Sequence, residues 1–315
     1  KIGTVKNVIN SLYSINKYSN YSTHLINAFG EWDDYKEDIK VKNVDIHNFQ
    51  YLRFIKNWKI RGFIKSRFSY ILIFLFSFIP LFNLIKKQKP DYLVVHLISS
   101  LPLLIFKIFN FDTKLILHVA GHPKLNLIRK KIWKLSSKKI FKVICPSEEL
   151  KNVFLEHNIF DHNQIKVIQD PHLVMKDINV LKREELNDHF FNDSKILIAI
   201  GRMTKQKNYS FLIKNFKELA SKYTDIKLVI IGDGEDKHNL EILIKQLDLI
   251  KKIKLINHKT NIYKYLKMSK FYVSTSLWEG SSLAMVDAAF MGIPILCSDC
   301  PSGRKEFIGK NKRGF

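Results

Sequence analysis

Residues 195–231 read KILIAIGRMTKQKNYSFLIKNFKELASKYTDIKLVII and contain one unit of strand, loop, helix and strand. The apolar run Lys195–Ile200 has the length and composition of a strand buried on both faces. Tyr209–Lys222 carries apolar residues three and four positions apart, which predicts an amphipathic helix, and Lys227–Ile231 is a second apolar run. Strand–helix–strand units of this kind are typical of a parallel sheet wrapped by helices.

The same alternation continues downstream. We predict further strands at Ile253–Ile256, Phe271–Ser274 and Pro294–Cys297, and helices at Lys237–Leu247, Ile262–Met268 and Ser282–Met291. The second half, residues 186–315, is therefore predicted to be a doubly wound α/β domain.

The first half, residues 1–185, shows a similar rhythm. Its predicted strands are Tyr92–His96, Leu115–Val119, Ile140–Cys145 and Ile165–Ile168, and its predicted helices are Val5–Tyr18, Leu101–Phe109, Lys124–Leu135 and Ser147–His157. The polar stretch Asp177–Ser194 is interpreted as a linker. Two facing domains of this class would form a cleft, where ligands tend to bind. No methionine begins the chain and no closing element follows residue 310, so we expect a first strand and terminal helices to be missing.

Charge and cysteine content limit the functional classes. The chain has 52 basic and 29 acidic residues, a formal net charge of +23, which favours a polyanionic neighbour such as nucleic acid, phosphate-rich ligands or an anionic membrane. Three cysteines, Cys145, Cys297 and Cys300, do not make a disulfide framework and indicate a reducing cytoplasm. Cys297 and Cys300 have CxxC spacing without a second ligand pair, so we expect a buried structural pair rather than a zinc site.

One uncharged segment interrupts the pattern. Phe68–Ile85 is near the minimum length for a membrane-spanning helix and has basic residues on both flanks. It contains Pro80 and Asn83, and its symmetric flanks give no positive-inside asymmetry. We favour a buried or membrane-surface helix over a spanning one.

The loop after the first strand of the second domain carries candidate chemistry. Gly201 allows a sharp turn and close approach to a ligand. Arg202 and Lys207 flank that turn, and the two cations are suited to bracket a diphosphate. The simpler alternative is a basic surface loop in a basic protein.

A second motif, WEGSSLAMVDAA (residues 278–289), follows the strand Phe271–Ser274 and begins a helix. The start of that helix offers backbone N–H groups to an anion, at Gly280, Ser281, Ser282 and Leu283. Glu279 precedes the helix and Asp287 lies inside it, and both carboxylates are positioned to face one ligand. The alternative is a helix-dipole acid and an exposed Asp.

These segments resemble a known family. GRMTKQKN, EGSSLAMVD and GIPILCSDCPSG are similar to motifs of the retaining glycosyltransferases of family 4, in the branch that builds bacterial surface polysaccharides. The resemblance implies the GT-B fold, with two Rossmann-like domains facing across a cleft. It implies that Arg202 and Lys207 bind the donor diphosphate, Glu279 contacts the donor sugar, and Asp287 holds the ribose.

The resemblance also implies a histidine at a strand end of the acceptor-side first domain. In LILHVAGHP (residues 115–123), Ala120 occupies the usual histidine position. His118, on the same side of the strand, and His122 remain candidates, and His96 at the end of the previous strand is a third. Each is also consistent with an ordinary hydrogen-bonded polar residue.

The function implied is retaining transfer of a sugar from a nucleotide-diphosphate sugar, with UDP-sugar favoured, to a lipid-linked or polysaccharide acceptor. We expect no cofactor and no metal, because neither motif supplies a cluster of acidic ligands. The expected partners are the donor, a glycan or lipid-linked acceptor and an anionic membrane, on the inner face of the plasma membrane. Alternatives are a GT-B epimerase or phosphorylase, a spanning protein, or a nucleic-acid binder, for which no reading motif is found.

Overall fold

The computed structural model describes residues 2–49, 63–96, 99–121, 123, 125–192, 194–279, 282–301 and 304–309. The chain divides into two compact units, Lys1–His172 and Leu173–Phe315. The boundary between the units therefore lies before the predicted boundary at 185/186, because the stretch interpreted as a linker belongs to the second unit. Ile178 and Phe191, both buried, anchor it in that unit's core.

The second unit contains a five-stranded parallel sheet. Its strands are β7 (Lys195–Ile200), β8 (Ile226–Ile231), β9 (Ile253–Ile256), β10 (Phe271–Ser274) and β11 (Ile295–Cys297). Its helices are α7 (Met175–Leu181), α8 (Tyr209–Lys222), α9 (Lys237–Gln246), α10 (Tyr263–Lys267), α11 (Leu283–Phe290) and α12 (Arg304–Ile308). The sheet order β9-β8-β7-β10-β11 is the 3-2-1-4-5 arrangement of a Rossmann-like domain.

Helices cover both faces of this sheet, and strand alternation assigns the side chains to two cores. On β7, Leu197 and Ala199 join the core formed with α8 and α9, whereas Ile196 and Ile198 join the core formed with α10 and α11. A strand buried on both faces is apolar at its interior positions, which explains the continuous run Ile196–Ile200. The prediction of a doubly wound domain is confirmed.

The first unit contains a four-stranded parallel sheet of order β3-β4-β5-β6. These strands are β3 (Tyr92–Val95), β4 (Lys114–His118), β5 (Ile140–Cys145) and β6 (Ile165–Val167). The accompanying helices are α3 (Phe63–Gln88), α4 (Ser100–Ile108), α5 (Leu127–Ser136) and α6 (Glu148–Glu156). One apolar core unites the sheet with buried side chains such as Ile105, Trp133 and Phe154.

The amino-terminal part forms a smaller parallel pair that the sequence analysis did not predict. Strands β1 (His24–Asn27) and β2 (Asp45–Asn48) pair in register. Helix α1 (Ile2–Tyr18) precedes β1, and helix α2 (Lys36–Val41) precedes β2. These strands were missed because they are four residues long and largely polar. Val8, Ile9, Leu25, Ile39 and Val44 form their core.

The uncharged segment lies within α3, a 26-residue helix with Pro80 inside it. Among the described residues, the segment Tyr70–Gln88 is long enough and apolar enough to cross a membrane. In its most apolar window, 22% of the residues are buried. Leu81 and Ile85 pack into the core of the first unit, whereas Ile71, Leu75 and Ile79 are exposed. The helix therefore has one packed face and one uncovered face.

A candidate active site where the sheet order reverses

The candidate site lies where the strand order of the second unit reverses. From β7, the chain proceeds to β8 on one side and later to β10 on the other. Connections therefore leave the carboxyl ends of β7 and β10 in opposite directions, which opens the crevice that open α/β sheets use for ligands. Gly201 follows β7 and Thr275 follows β10, so both predicted motifs border this crevice.

The loop after β7 packs backbone to backbone against the loop after β8. Met203 N donates to Asp233 O at 2.9 Å, and Asp236 N donates to Met203 O at 3.0 Å. A Cβ on Gly232 would lie 1.9 Å from Gly201 O, and one on Gly234 would lie 2.1 Å from Met203 O. These glycines are required because two main chains meet here without room for a side chain.

The loop after β10 is joined to the opposite side of the first motif. Leu277 N donates to Gln206 O at 2.9 Å, and the Gln206 Nε2 donates to Trp278 O at 2.8 Å. The Thr275 hydroxyl donates to Lys207 O at 3.0 Å. The two motifs, separated by about seventy residues of sequence, therefore form one hydrogen-bonded unit.

A buried ion pair lies at the centre of this unit. Lys207 Nζ is 2.5 Å from Glu279 Oε1, and the two side chains are 14% and 6% exposed. The same carboxylate oxygen accepts from the Ser276 hydroxyl at 2.6 Å. This places the predicted cation and the predicted sugar-binding acid within direct contact.

Arg202 lies at the exposed edge of the site. Its Nη2 donates to Gln206 Oε1 at 3.2 Å, and Gln206 in turn contacts the loop that carries Glu279. One glutamine therefore links the guanidinium to the second motif. Sequence analysis did not identify Gln206, Thr275 or Ser276, because their roles depend on contacts that only the fold creates.

Two hydroxyl groups at this site have no hydrogen-bond partner. In the described part of the second unit, the buried side-chain polar atoms without a partner are Thr204 Oγ1 and Ser282 Oγ. Ser282 immediately precedes α11, whose first N–H groups have no intrahelical acceptor, as at any helix start. Buried polar groups without partners are rare, so both are suited to meet a polar ligand. Leu283 begins the helix, and Gly280 and Ser281 lie outside the described residues.

Asp287 occupies a different environment from Glu279. It is 2% exposed and accepts a hydrogen bond of 2.7 Å from the Tyr263 hydroxyl, which joins α10 to α11. Burial and the neighbouring Asp287 carboxylate raise the pKa of Tyr263, so the phenol remains protonated. The predicted ribose contact by Asp287 stays a prediction.

In the first unit, the predicted histidines lie at strand ends. His118 Nε2 is 3.1 Å from Asp170 Oδ1, and the His96 ring lies 4.5 Å from the His118 ring. Burial, reinforced by His118, lowers the pKa of His96 to about 4, so its imidazole is neutral. His122 lies outside the described residues. Asp170 was not identified from sequence, since the polar run after β6 shows no motif.

The remaining ligand predictions concern metals and cysteines. Among the described residues, no group of three His, Cys, Asp or Glu side chains is arranged to hold a metal ion. Metal-independent action stays a prediction. Cys145 and Cys300 are buried and Cys297 is partly buried against the second core.

Comparison with known proteins matches the second unit to a family. Residues 182–315 match the family model described as glycosyl transferases group 1. The chain is 33% identical over 244 residues to an uncharacterized glycosyltransferase of Methanocaldococcus jannaschii, covering 72% of this chain and 60% of the relative. It is 27% identical over 232 residues, with the same shares covered, to the Campylobacter jejuni N-acetylgalactosamine-N,N'-diacetylbacillosaminyl-diphospho-undecaprenol 4-alpha-N-acetylgalactosaminyltransferase.

Solved structures extend the likeness to the whole chain at the level of fold. The Anabaena HepE structure in complex with UDP and glucose has a TM-score of 0.68 and 14% identity, covering 100% of this chain and 82% of that one. The prediction of an α/β fold with two Rossmann-like domains of the GT-B class is confirmed. The chain spans about 60% of the length of the two curated relatives.

Proposed function

We propose that this chain, whose residues 182–315 match the group 1 glycosyl transferases, transfers a sugar from a nucleotide-diphosphate donor to a glycan or lipid-linked acceptor. The observation that carries the proposal is the buried contact between Lys207 and Glu279 at the strand-order reversal. It brings the cation proposed to bind phosphate against the acid proposed to bind the sugar, in the crevice where α/β sheets bind nucleotides.

In this proposal, the donor diphosphate lies between the two motifs. Lys207 and Arg202 supply positive charge, and the hydroxyls of Thr204 and Ser282 donate to phosphate oxygens. The first N–H groups of α11 add the positive end of a helix dipole. These donors are fixed before the reaction, so they stabilise the charge that develops on the departing diphosphate.

Glu279 orients the donor sugar through its hydroxyl groups. The bond from the anomeric carbon to the diphosphate breaks, and the acceptor oxygen bonds to that carbon on the same face. The acceptor's hydroxyl proton leaves with the diphosphate. Configuration is then retained, as the resemblance to family 4 implies. Because the charges are supplied by side chains, we expect transfer to continue in EDTA.

A UDP-sugar is the favoured donor. The support is the fold likeness to the HepE structure, which holds UDP and glucose. A thermal-shift series with UDP-, GDP- and ADP-sugars tests this choice, because a ligand at a hundred times its Kd stabilises the native protein by about 2.7 kcal/mol. A shift with GDP- or ADP-sugars alone would assign the donor differently.

The acceptor is proposed to be lipid-linked and the protein peripheral, on the cytoplasmic face of the plasma membrane. Helix α3 exposes Ile71, Leu75 and Ile79, and α5 exposes Leu127 and Ile128. Exposed basic residues share the surface of α5: Arg129, Lys131 and Lys134. Both helices pack against α4. Apolar and basic groups together suit an anionic bilayer surface.

The decisive experiment compares Arg202→Ala with Lys205→Ala, an exposed cation in the same loop. Release of nucleotide diphosphate from the donor is measured with and without acceptor. Arg202→Ala is expected to reduce turnover about a hundredfold, the effect of losing one preorganised donor, and Lys205→Ala to leave it unchanged. Equal turnover in the two folded variants would remove the phosphate-binding assignment. Release that does not depend on an acceptor would favour a hydrolysing epimerase, and absence of release with every donor and acceptor would be consistent with a phosphorylase.

A further inference from the structure

Gln206 is bonded to both motifs of the candidate site by separate atoms. It is half-buried and lies in a short 3₁₀ turn, Lys205–Lys207. Its main-chain O accepts from Leu277 N at 2.9 Å, and its side-chain Nε2 donates to Trp278 O at 2.8 Å. Its Oε1 accepts from Arg202 Nη2 at 3.2 Å. Main chain and side chain therefore both bridge the two loops, and the guanidinium is attached to this bridge.

The two partners of the side-chain amide fix its orientation. A guanidinium can only donate and a main-chain carbonyl can only accept. The amide must therefore face Arg202 with its oxygen and Trp278 with its NH₂ group. Rotation of the amide by half a turn would break both hydrogen bonds, because it would place donor against donor and acceptor against acceptor. The Oε1 of Gln206 is consequently a fixed acceptor beside the guanidinium.

This acceptor restricts a side chain that is otherwise free to move. Arg202 is exposed, and an exposed arginine samples many rotamers. The contact with Gln206 uses one N–H of Nη2 and leaves the other N–H groups of the guanidinium for a ligand. Those groups can still bind two phosphate oxygens at once. Ordering the side chain before the ligand arrives removes an entropy cost from binding, so the amide of Gln206 strengthens a contact that it does not itself make.

The two loops are joined without the side chain of Gln206. The Thr275 hydroxyl lies 3.0 Å from Lys207 O and 3.2 Å from Asn208 O, within hydrogen-bonding distance of both. The Leu277 N–H bonds to the main chain of Gln206. These contacts end on main-chain carbonyls, which remain when the Gln206 side chain is replaced. Joining the loops therefore does not account for the contact between Oε1 and the guanidinium.

We propose that Gln206 is a positioning residue of the transfer reaction and acts through Arg202. Its amide holds the guanidinium in one place relative to the loop that carries Glu279. The diphosphate and the sugar of one donor then meet groups that belong to the same hydrogen-bonded unit. The inference rests on the proposed transferase function, because it takes the donor diphosphate as the ligand of Arg202.

The first test replaces the amide by a side chain of similar length that makes no hydrogen bond. Gln206→Met should lower the donor kcat/KM about tenfold, the value of one hydrogen bond to a charged group, and weaken UDP binding by a similar factor. We expect a Tm close to that of the wild type, because the contacts of Thr275 and Leu277 remain. The matched control is Gln246→Met at the exposed end of α9, which should leave kinetic constants and UDP binding unchanged.

The second test determines whether Gln206 acts through Arg202. In a double-mutant cycle, two residues that act as one unit give non-additive effects. Gln206→Met should lower kcat/KM about tenfold in the wild-type background and less than about twofold in the Arg202→Ala background, where no guanidinium is left to position. The same tenfold loss in both backgrounds would overturn the proposal, because the amide would then act on the loop of Glu279 independently of Arg202.

The remaining outcomes separate this inference from the transferase proposal. Wild-type kinetic constants in a folded Gln206→Met protein, together with the expected loss in Arg202→Ala, would overturn the positioning role alone. A lower Tm of Gln206→Met with wild-type kinetic constants would show a purely structural role and would overturn it as well. A wild-type chain that neither binds a nucleotide sugar nor releases nucleotide diphosphate would instead refute the transferase proposal.

Discussion

The contact between Lys207 and Glu279 shows why a single residue pair can indicate function. Both groups are almost fully buried, and burying two charges costs several kcal/mol per ion unless the geometry compensates. Replacing such a pair by apolar residues of similar volume is often neutral or stabilising in proteins. Stability alone therefore gives little reason for this pair at the strand-order reversal, whereas the proposed phosphate-binding role does.

Replacing each partner should separate binding from turnover. Glu279→Gln keeps an acceptor for Ser276 and releases Lys207 from its carboxylate, so we expect UDP affinity to be unchanged or higher while turnover falls about a hundredfold. Lys207→Met should lower both the affinity for UDP and the turnover. Isothermal titration with UDP and steady-state kinetics measure the two effects. Weaker UDP binding by Glu279→Gln would contradict the assignment of that carboxylate to the sugar.

His96 should make the stability of the first unit depend on pH. Its native pKa is about 4, against an ordinary value of 6.5, because burial and His118 disfavour the charged ring while Asp170 opposes them. Between these values the unfolded chain binds a proton that the native chain does not. The stabilisation is therefore complete above pH 6.5 and is lost as the pH falls toward 4, by about 3 kcal/mol in total.

The variant His96→Asn should remove this contribution. Thermal unfolding at pH 7.0 and 4.5 is expected to show a smaller loss of Tm on acidification in the variant than in the wild type. His162, which lies in an exposed turn, provides the control, since His162→Asn should leave the wild-type pH dependence intact. The same loss of Tm in all three proteins would contradict the neutral, buried state of His96.

At the scale of elements, the second unit was more predictable than the first. The bounds of β7, α8, β9 and β10 match the sequence prediction residue for residue, because buried parallel strands and amphipathic helices have distinct apolar patterns. Residues 177–194 were wrongly interpreted as a linker, because charged and polar residues predominate in them although Ile178 and Phe191 are buried and Leu181, Leu186 and Phe190 pack beside them.

The candidate site was predictable in part for the same reason. Arg202, Lys207 and Glu279 lie in loops next to strand ends, and their proximity follows once the strand order is known. The sequence alone cannot reveal that order. Asp170 lies beyond β6 in a run without a motif, and its partner lies on a strand two positions away in the sheet. Such a contact depends on the complete fold.

The junction between the loops after β7 and β8 gives a test at this scale. Gly234→Ala would place a Cβ 2.1 Å from Met203 O, so the two loops must separate, and we expect lost donor binding together with a Tm drop of several degrees. Gly292→Ala is the contrast: its Cβ meets nothing within 4 Å, and its φ of +72° costs only about 1 kcal/mol. Wild-type donor binding by a folded Gly234→Ala protein would show that this junction does not shape the site.

At the scale of the whole molecule, the net charge of the chain and the uncovered helices of the first unit have a common explanation. The chain carries a net charge of +23, and α3 and α5 leave apolar side chains uncovered beside basic ones. A nucleic acid would account for the charge but not for the exposed Ile71, Leu75 and Leu127, whereas an anionic bilayer accounts for both. One face of α3 packs into the core of the first unit through Leu81 and Ile85, which favours a helix lying on the bilayer over a spanning one.

Sedimentation with vesicles tests this membrane face. Wild-type protein should bind vesicles containing phosphatidylglycerol and dissociate from them in high salt. Each basic residue near the bilayer surface contributes about 1 kcal/mol to the binding free energy, and salt screens this contribution. The double variant Leu75→Asp, Ile79→Asp should bind at least tenfold more weakly, since burying one such side chain contributes about 1.5–3 kcal/mol. Ile250→Asp, an exposed apolar residue of the second unit, should bind like the wild type. Retention through a high-salt wash until detergent is added would instead show that α3 spans the bilayer.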